Sequence, residues 1–194
     1  MQPRRFMHIA DRASRLAGHL LRAIRAGDET LASAGPFSGP SLTITTPSFP
    51  NDGPMPSRHA GDHNVSPPLA WSGAPKGTRE LALLVEDPDA PLPQAFVHWM
   101  VYGISPALCS LPEGIGIGTK LPRGVAEGRN STGRSGFVGP KPPRGHGVHH
   151  YHFQLFALDE PLGIAPGAER DALVLAMKGH VLARGELVGT YEIR

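Results

Sequence analysis

Cysteine is almost absent: Cys109 stands alone among 194 residues. No internal disulfide can form, and a reducing compartment, the cytoplasm, is the simpler expectation. Aromatic side chains are scarce, at 6%, which offers no stacking platform for single-stranded nucleic acid and no RNA-recognition sheet. No apolar run approaches the ~20 residues of a membrane-spanning helix. The basic start of the chain has its apolar residues interrupted by His19, Arg22 and Arg25, a poor signal-peptide core. The sequence has no internal repeat.

Glycine and proline, by contrast, are abundant at 24 and 21 residues. Both are costly inside helices, which argues against a helical bundle, and their lack of a fixed period excludes collagen. With 40% hydrophobic and 19% charged residues, the chain has the composition of one globular domain rather than of a disordered polymer.

The formal net charge of +2 conceals an asymmetry. Residues 1–26 carry six arginines against Asp11 alone, a net of +5, and the remainder has 13 basic and 16 acidic residues, a net of −3. The basic character thus belongs to an N-terminal arm, and the body is not expected to bind nucleic acid.

Two regions follow from the patterning. Residues 8–34 read as an amphipathic helix, with Leu16, Leu20, Ile24 and Leu31 at helical spacing and arginines opposite. The Gly35–Pro40 stretch is a linker, so residues 1–40 form an arm and 41–194 a domain. The helix is expected to dock on the domain or on a second copy of the chain, a homodimer; attachment to a membrane surface is the alternative.

From Ser41 onward the segments read as strands. Leu42–Thr45 alternates, Leu81–Val85 is a continuous apolar run, and Phe96–Ile104, Tyr151–Leu158 and Leu187–Ile193 are rich in aliphatic and aromatic residues. Only Asp171–Ala183 reads as helical in this part. The expected fold is mainly β: an antiparallel β-sandwich with a few peripheral helices and the N-terminal amphipathic helix. Residues 50–78 and 111–147 remain as long Gly/Pro-rich loops, and ordered loops of that length usually build a site.

Three motifs could carry chemistry. Asp87-Pro88-Asp89-Ala90-Pro91 follows the apolar run directly. Two carboxylates on a stiffened extended backbone can face one side and seek donors or a cation, or can close an Asx-type turn at a strand end. His98 lies inside an apolar strand, either as a satisfied core residue or as a fixed donor. An aspartate accepting its ring N–H would favour its protonated form. A rigid Gly139–Gly147 turn then enters a strand in which His149, Tyr151 and Phe153 share one face, with His150 and His152 on the other. Histidines on opposing faces without a partner cysteine do not match a zinc site, so no metal is expected.

Together these residues resemble the phosphatidylethanolamine-binding proteins, in particular their bacterial Raf-kinase-inhibitor-like branch. The matching stretches are Ser66–Trp71, Glu86–Pro91, Val97–Trp99, and Gly139-Pro140 through His149-His150-Tyr151; only their combination is specific. The resemblance covers about residues 41–194 and implies a β-sandwich with an anion-binding cavity at one end. Carried over, its lining is Asp87, Asp89, His98, His149 and Tyr151, with Gly139 and Pro140 at the rim. The resemblance implies binding of phosphorylated head groups, in some members inhibition of kinases or proteases, and no catalysis.

This chain departs from the family pattern in three ways. His150 stands where the family usually has arginine, Lys141 where bacterial relatives commonly have cysteine, and the arm lies outside the family core.

The expected function is therefore a non-catalytic protein that binds a small phosphorylated or otherwise anionic ligand without a cofactor and regulates a protein partner. In this reading the histidines donate to the anion and the aspartates orient them from behind. A hydrolase using His149 or His98 as base is one alternative, though no Gly-x-Ser-x-Gly elbow is present. An interaction protein working through the N-terminal helix is the other.

Overall fold

The computed structural model describes residues 14–61, 63–115 and 120–194. Among the described residues nine strands form two sheets: β1 (Thr43–Thr45), β2 (Gly53–Pro54), β3 (Leu69–Ser72), β4 (Glu80–Asp87), β5 (Phe96–Ile104), β6 (Ser110–Leu111), β7 (Ala126–Glu127), β8 (His149–Leu158) and β9 (Val181–Tyr191). The larger sheet runs β2-β9-β8-β4-β5-β7 and the smaller β1-β3-β6. All pairings are antiparallel except β2 with β9, which is parallel and departs from the expected fully antiparallel arrangement.

β4 lies between β5 and β8 and is buried along its whole length, which is why it reads as a continuous apolar run rather than an alternating one. Leu81, Leu83 and Val85 project to one face and meet Ile44, Trp71 and Leu111 of the smaller sheet in a common core. Ala82 and Leu84 project to the other, against Leu173 and Met177.

Those last two residues belong to α2 (Arg170–Met177). It stops short of the Asp171–Ala183 expected from sequence because Gly179, at φ +87, turns the chain directly into β9. The segments 50–78 and 111–147 likewise hold the short strands β2, β3, β6 and β7 within stretches that read as loops.

The arm differs most from expectation. Of the helix expected over 8–34, residues 8–13 lie outside the described residues, and 14–21 form a helix, α1. A turn follows, then a 3-10 turn at Asp28–Thr30, where Gly27 at φ +89 breaks the helical path. Leu31 is buried, but Leu16, Leu20 and Ile24 are 63%, 76% and 49% exposed. The face turned to the body is instead the one carrying Gly18, against which the backbone at Arg144 and His146 packs so closely that a side chain would collide.

From there the arm crosses the end of the larger sheet. Arg22 Nε donates to the Gly145 carbonyl (2.8 Å), Ala26 and Gly27 amides donate to the Ala90 and Pro88 carbonyls, and the Ser33 amide donates to the Gln154 side chain (2.7 Å).

Candidate functional site

Asp87 ends β4, His98 sits near the start of β5, and His149 and Tyr151 open β8. Glu86 pairs with His152 and Asp87 with Phe96, so the antiparallel order brings all four to one end of the larger sheet. Alternation then places His149, Tyr151 and Phe153 on the smaller-sheet side, with Tyr151 and Phe153 part of that core.

His98 reaches the same side through an irregularity. Val85 pairs with Trp99 but Glu86 pairs with Val97, which leaves His98 as the extra residue of a β-bulge. Past the bulge Val97 joins the opposite core, and the His98 ring stands edge-on to Tyr151 with centroids 5.0 Å apart. A bulge of this kind re-aims one side chain.

These side chains line a cavity of about 390 Å³. Its walls are mostly apolar, including Pro91, Leu92, Phe96 and Val138, and Thr132, Gly139 and Lys141 also border it. Of the residues expected from sequence, Asp87, His98, Gly139, His149 and Tyr151 contribute to the lining. Asp89 and Pro140 do not: Asp89 faces His150 and the arm, and the Pro140 carbonyl accepts the Gly61 amide (2.7 Å).

The hydrogen bonds assign each group a role. Asp87 Oδ1 accepts the Asp89 amide (2.9 Å), closing the Asx-type turn, and Oδ2 accepts from His149 Nδ1 (2.7 Å). Asp87 thus orients a histidine, as expected. His149 Nε2, however, meets His146 Nδ1 at 2.7 Å, so both ring nitrogens are engaged and His149 is not the free donor to an anion that its sequence position implies.

His98 also departs from expectation. Its Nδ1 donates to the Val138 carbonyl (2.5 Å) rather than to an aspartate. Burial pushes its pKa down, against the opposing pull of Asp87 and the Val138 carbonyl, with the charge of His149 adding to the lowering. The ring is therefore neutral and its Nε2 carries a lone pair.

Asp89 is held below the usual carboxylate range. Burial opposes its charge, but hydrogen bonds from the His150 ring and amide (2.7 Å each) and from Arg25 outweigh that. The Tyr151 hydroxyl is raised well above the ordinary tyrosine range, by burial first and then by Asp87 and Asp89. It is the single buried side-chain polar atom without a hydrogen-bond partner among the described residues.

Lys141, singled out from sequence as a departure at the cavity mouth, does border it, whereas sequence reasoning missed Pro142 and Pro143 as lining residues, and His146 as the partner of His149. The Gly145-His146-Gly147 spacing was a usable signal for His146, since paired glycines at φ +78 and +113 turn the backbone tightly around it. No group of three or more potential metal ligands is found among the described residues.

The cavity at this end of the sheet thus gathers a buried hydroxyl without a hydrogen-bond partner among the described residues and two histidines fixed by their Nδ1 contacts. The family profile described as "Phosphatidylethanolamine-binding protein" matches residues 45–192, and the chain belongs to that family. A UPF0098 protein of Pyrococcus abyssi is 43% identical over 157 residues, covering 79% of this chain and 87% of its own. A UPF0098 protein of Methanothermobacter thermautotrophicus is 41% identical over 151 residues, covering 77% and 98%. The crystal structure of Escherichia coli YbcL, described as a new member of the mammalian PEBP family, superposes with a TM-score of 0.75 at 33% identity, covering 79% of this chain and 99% of that one.

Proposed function

We propose that the protein is a non-catalytic binding protein whose pocket takes a small phosphate-bearing or otherwise anionic group, within a sandwich formed by the two sheets. The observation that carries this reading is the Tyr151 hydroxyl, buried in the cavity wall without a partner among the described residues. An orphaned buried hydroxyl costs stability, about 1–3 kcal/mol, unless something completes it. Lys141 brings a cationic side chain to the same cavity. Membership of a family described by phosphatidylethanolamine binding supports the same chemistry.

The neutral His98 refines the ligand. Its Nε2 lone pair is complemented by a protonated phosphate oxygen and not by a fully ionised one. A phosphate monoester loses its last P–OH in the second ionisation, so its affinity should fall as pH rises through roughly pH 6–7, whereas inorganic phosphate keeps one P–OH there. Calorimetric titration of the full chain with inorganic phosphate and with O-phosphoethanolamine, at about pH 5.5 and about pH 8, tests this. Saturable 1:1 binding of both is expected, weakening at the higher pH for O-phosphoethanolamine. No binding at either pH, or tighter binding at the higher one, would contradict it.

The enzyme reading loses its first candidate base, because His149 has no ring nitrogen left to accept a substrate proton. The exposed Leu16, Leu20 and Ile24 favour a protein partner or second copy on the arm. Sedimentation of the full chain against a Leu16→Ser/Leu20→Ser variant separates monomer from dimer. The single cysteine fits a reducing compartment such as the cytoplasm; no described helix is long and apolar enough to cross a membrane.

A further inference from the structure

Three polar contacts run in line from the arm into the site. His146 Nε2 meets the Leu21 carbonyl at 2.8 Å, His146 Nδ1 meets His149 Nε2 at 2.7 Å, and His149 Nδ1 meets Asp87 Oδ2 at 2.7 Å. His146, His149 and Asp87 are buried. A carbonyl at one end only accepts, and so does a carboxylate at the other. Each contact needs one proton, three in all, whereas two neutral imidazoles bring two. The line is complete only with one further proton, shared among the two rings and the Asp87 carboxyl.

The arm also reaches the far end of this line. Arg25 pairs with Asp89 Oδ1, and the Asp89 amide donates to Asp87 Oδ1. Leu21 and Arg25 thus close a ring of contacts through His146, His149, Asp87 and Asp89. Both arm residues lie outside the stretch matched by the family profile, residues 45–192.

We propose that arm residues 18–25 are a positioning element of the pocket: the Leu21 carbonyl, kept in place by the Arg25 anchor on Asp89, holds one extra proton on the His146–His149–Asp87 line. That proton neutralises Asp87, which borders the cavity. With the arm lifted, His146 loses its carbonyl acceptor, two protons suffice, and Asp87 faces the pocket as an uncompensated negative charge. Arm docking and anion binding therefore support one another. This coupling to affinity rests on the anion-pocket reading above; the proton count does not.

The neighbouring charged and titratable groups are compatible with this assignment. On β5, His98 is neutral, and on β8, His150 is turned to Asp89 while the Tyr151 hydroxyl stays protonated. On the turn, Arg144 Nε donates to the Arg194 carbonyl and Lys141 borders the cavity; on the arm, Arg22 holds the Gly145 carbonyl and His19 stands near Gly145.

The test uses the full chain labelled with 15N in its histidines, with ring protonation read by NMR at about pH 7 and phosphate affinity by calorimetry. Gly18→Ala pries the arm from the Arg144–His146 backbone without altering any site side chain, while alanine itself favours the helix. Wild type should show the third proton; Gly18→Ala should lose it and bind phosphate about fivefold or more weakly. Arg25→Ala should weaken both readouts, and Arg25→Lys should restore them in part. Absence of the third proton in wild type overturns the proposal, as does its full retention in both Gly18→Ala and Arg25→Ala. A third proton present in wild type and lost in Gly18→Ala, with no phosphate binding by either, supports the arm's role and contradicts the anion-pocket reading alone.

Discussion

Glu86 and Asp87 are neighbours on β4, yet they anchor opposite kinds of polar cluster. Glu86 points away from the smaller sheet and is fully buried. Its oxygens accept from Arg170 Nε (2.5 Å), Gln154 Nε2 (2.8 Å) and the Ala32 amide (2.8 Å), so nothing in that cluster awaits a ligand. Asp87 points the other way, and its cluster ends at Tyr151, whose hydroxyl has no partner among the described residues, and at a neutral His98. The first network is satisfied within the described residues, whereas the second leaves a hydroxyl open beside a cavity.

The largest expected effect lies on the satisfied side. Glu86→Ala leaves Arg170, which also donates to the Thr30 carbonyl, without its buried counter-charge. It should cost about 3 kcal/mol in urea unfolding, in the range for breaking a buried ion pair. Phosphate affinity of the fraction that remains folded should change little; a selective loss of binding would erase the contrast between the clusters.

Asp87→Asn should behave in the opposite sense. The amide still fits the turn but has one accepting oxygen for the two partners, the Asp89 amide and His149 Nδ1, so stability should fall by only about 1 kcal/mol. Phosphate affinity should fall roughly tenfold, because the His149 ring stacked beside Tyr151 in the cavity wall loses the contact that fixes it. Equal losses in binding and stability would reduce Asp87 to a structural residue.

Smaller effects should appear in the pH dependence of unfolding. Asp89 is held below the ordinary aspartate pKa of 3.8, so its contribution is present above that pH and lost as pH falls through the folded value. His98 is lowered from 6.5, so the unfolded chain takes up its proton first, and stability declines as pH drops below 6.5. Asp89→Asn should remove the first component and leave the second. His98→Gln should flatten the decline that begins near 6.5; an unchanged profile would contradict a neutral, buried His98.

Much of this contrast was legible in the sequence. β5 runs over Phe96–Ile104 as its composition indicates, and period-2 alternation places His149 and Tyr151 on the side opposite His150 and His152. The motif order brings Asp87 to His149. What remained hidden depends on single-residue events that periodicity does not register. The bulge at His98 shifts register by one residue while leaving the run apolar. The engagement of His149 by His146 depends on a tight glycine turn. The arm reads as one long helix because its leucines keep helical spacing, but the face that docks is chosen by Gly18 and by arginine contacts to backbone and carboxylate, which a hydrophobic pattern cannot report.

The central claim is that the Tyr151 hydroxyl is kept for a ligand at the expense of the free protein's stability. Tyr151→Phe, compared with wild type in urea unfolding without phosphate and in calorimetric phosphate titration, tests it most directly. The account predicts a variant as stable as wild type or up to about 1 kcal/mol more stable, with phosphate binding lost. A variant that is destabilised by several kcal/mol, or that binds phosphate as wild type does, would contradict it.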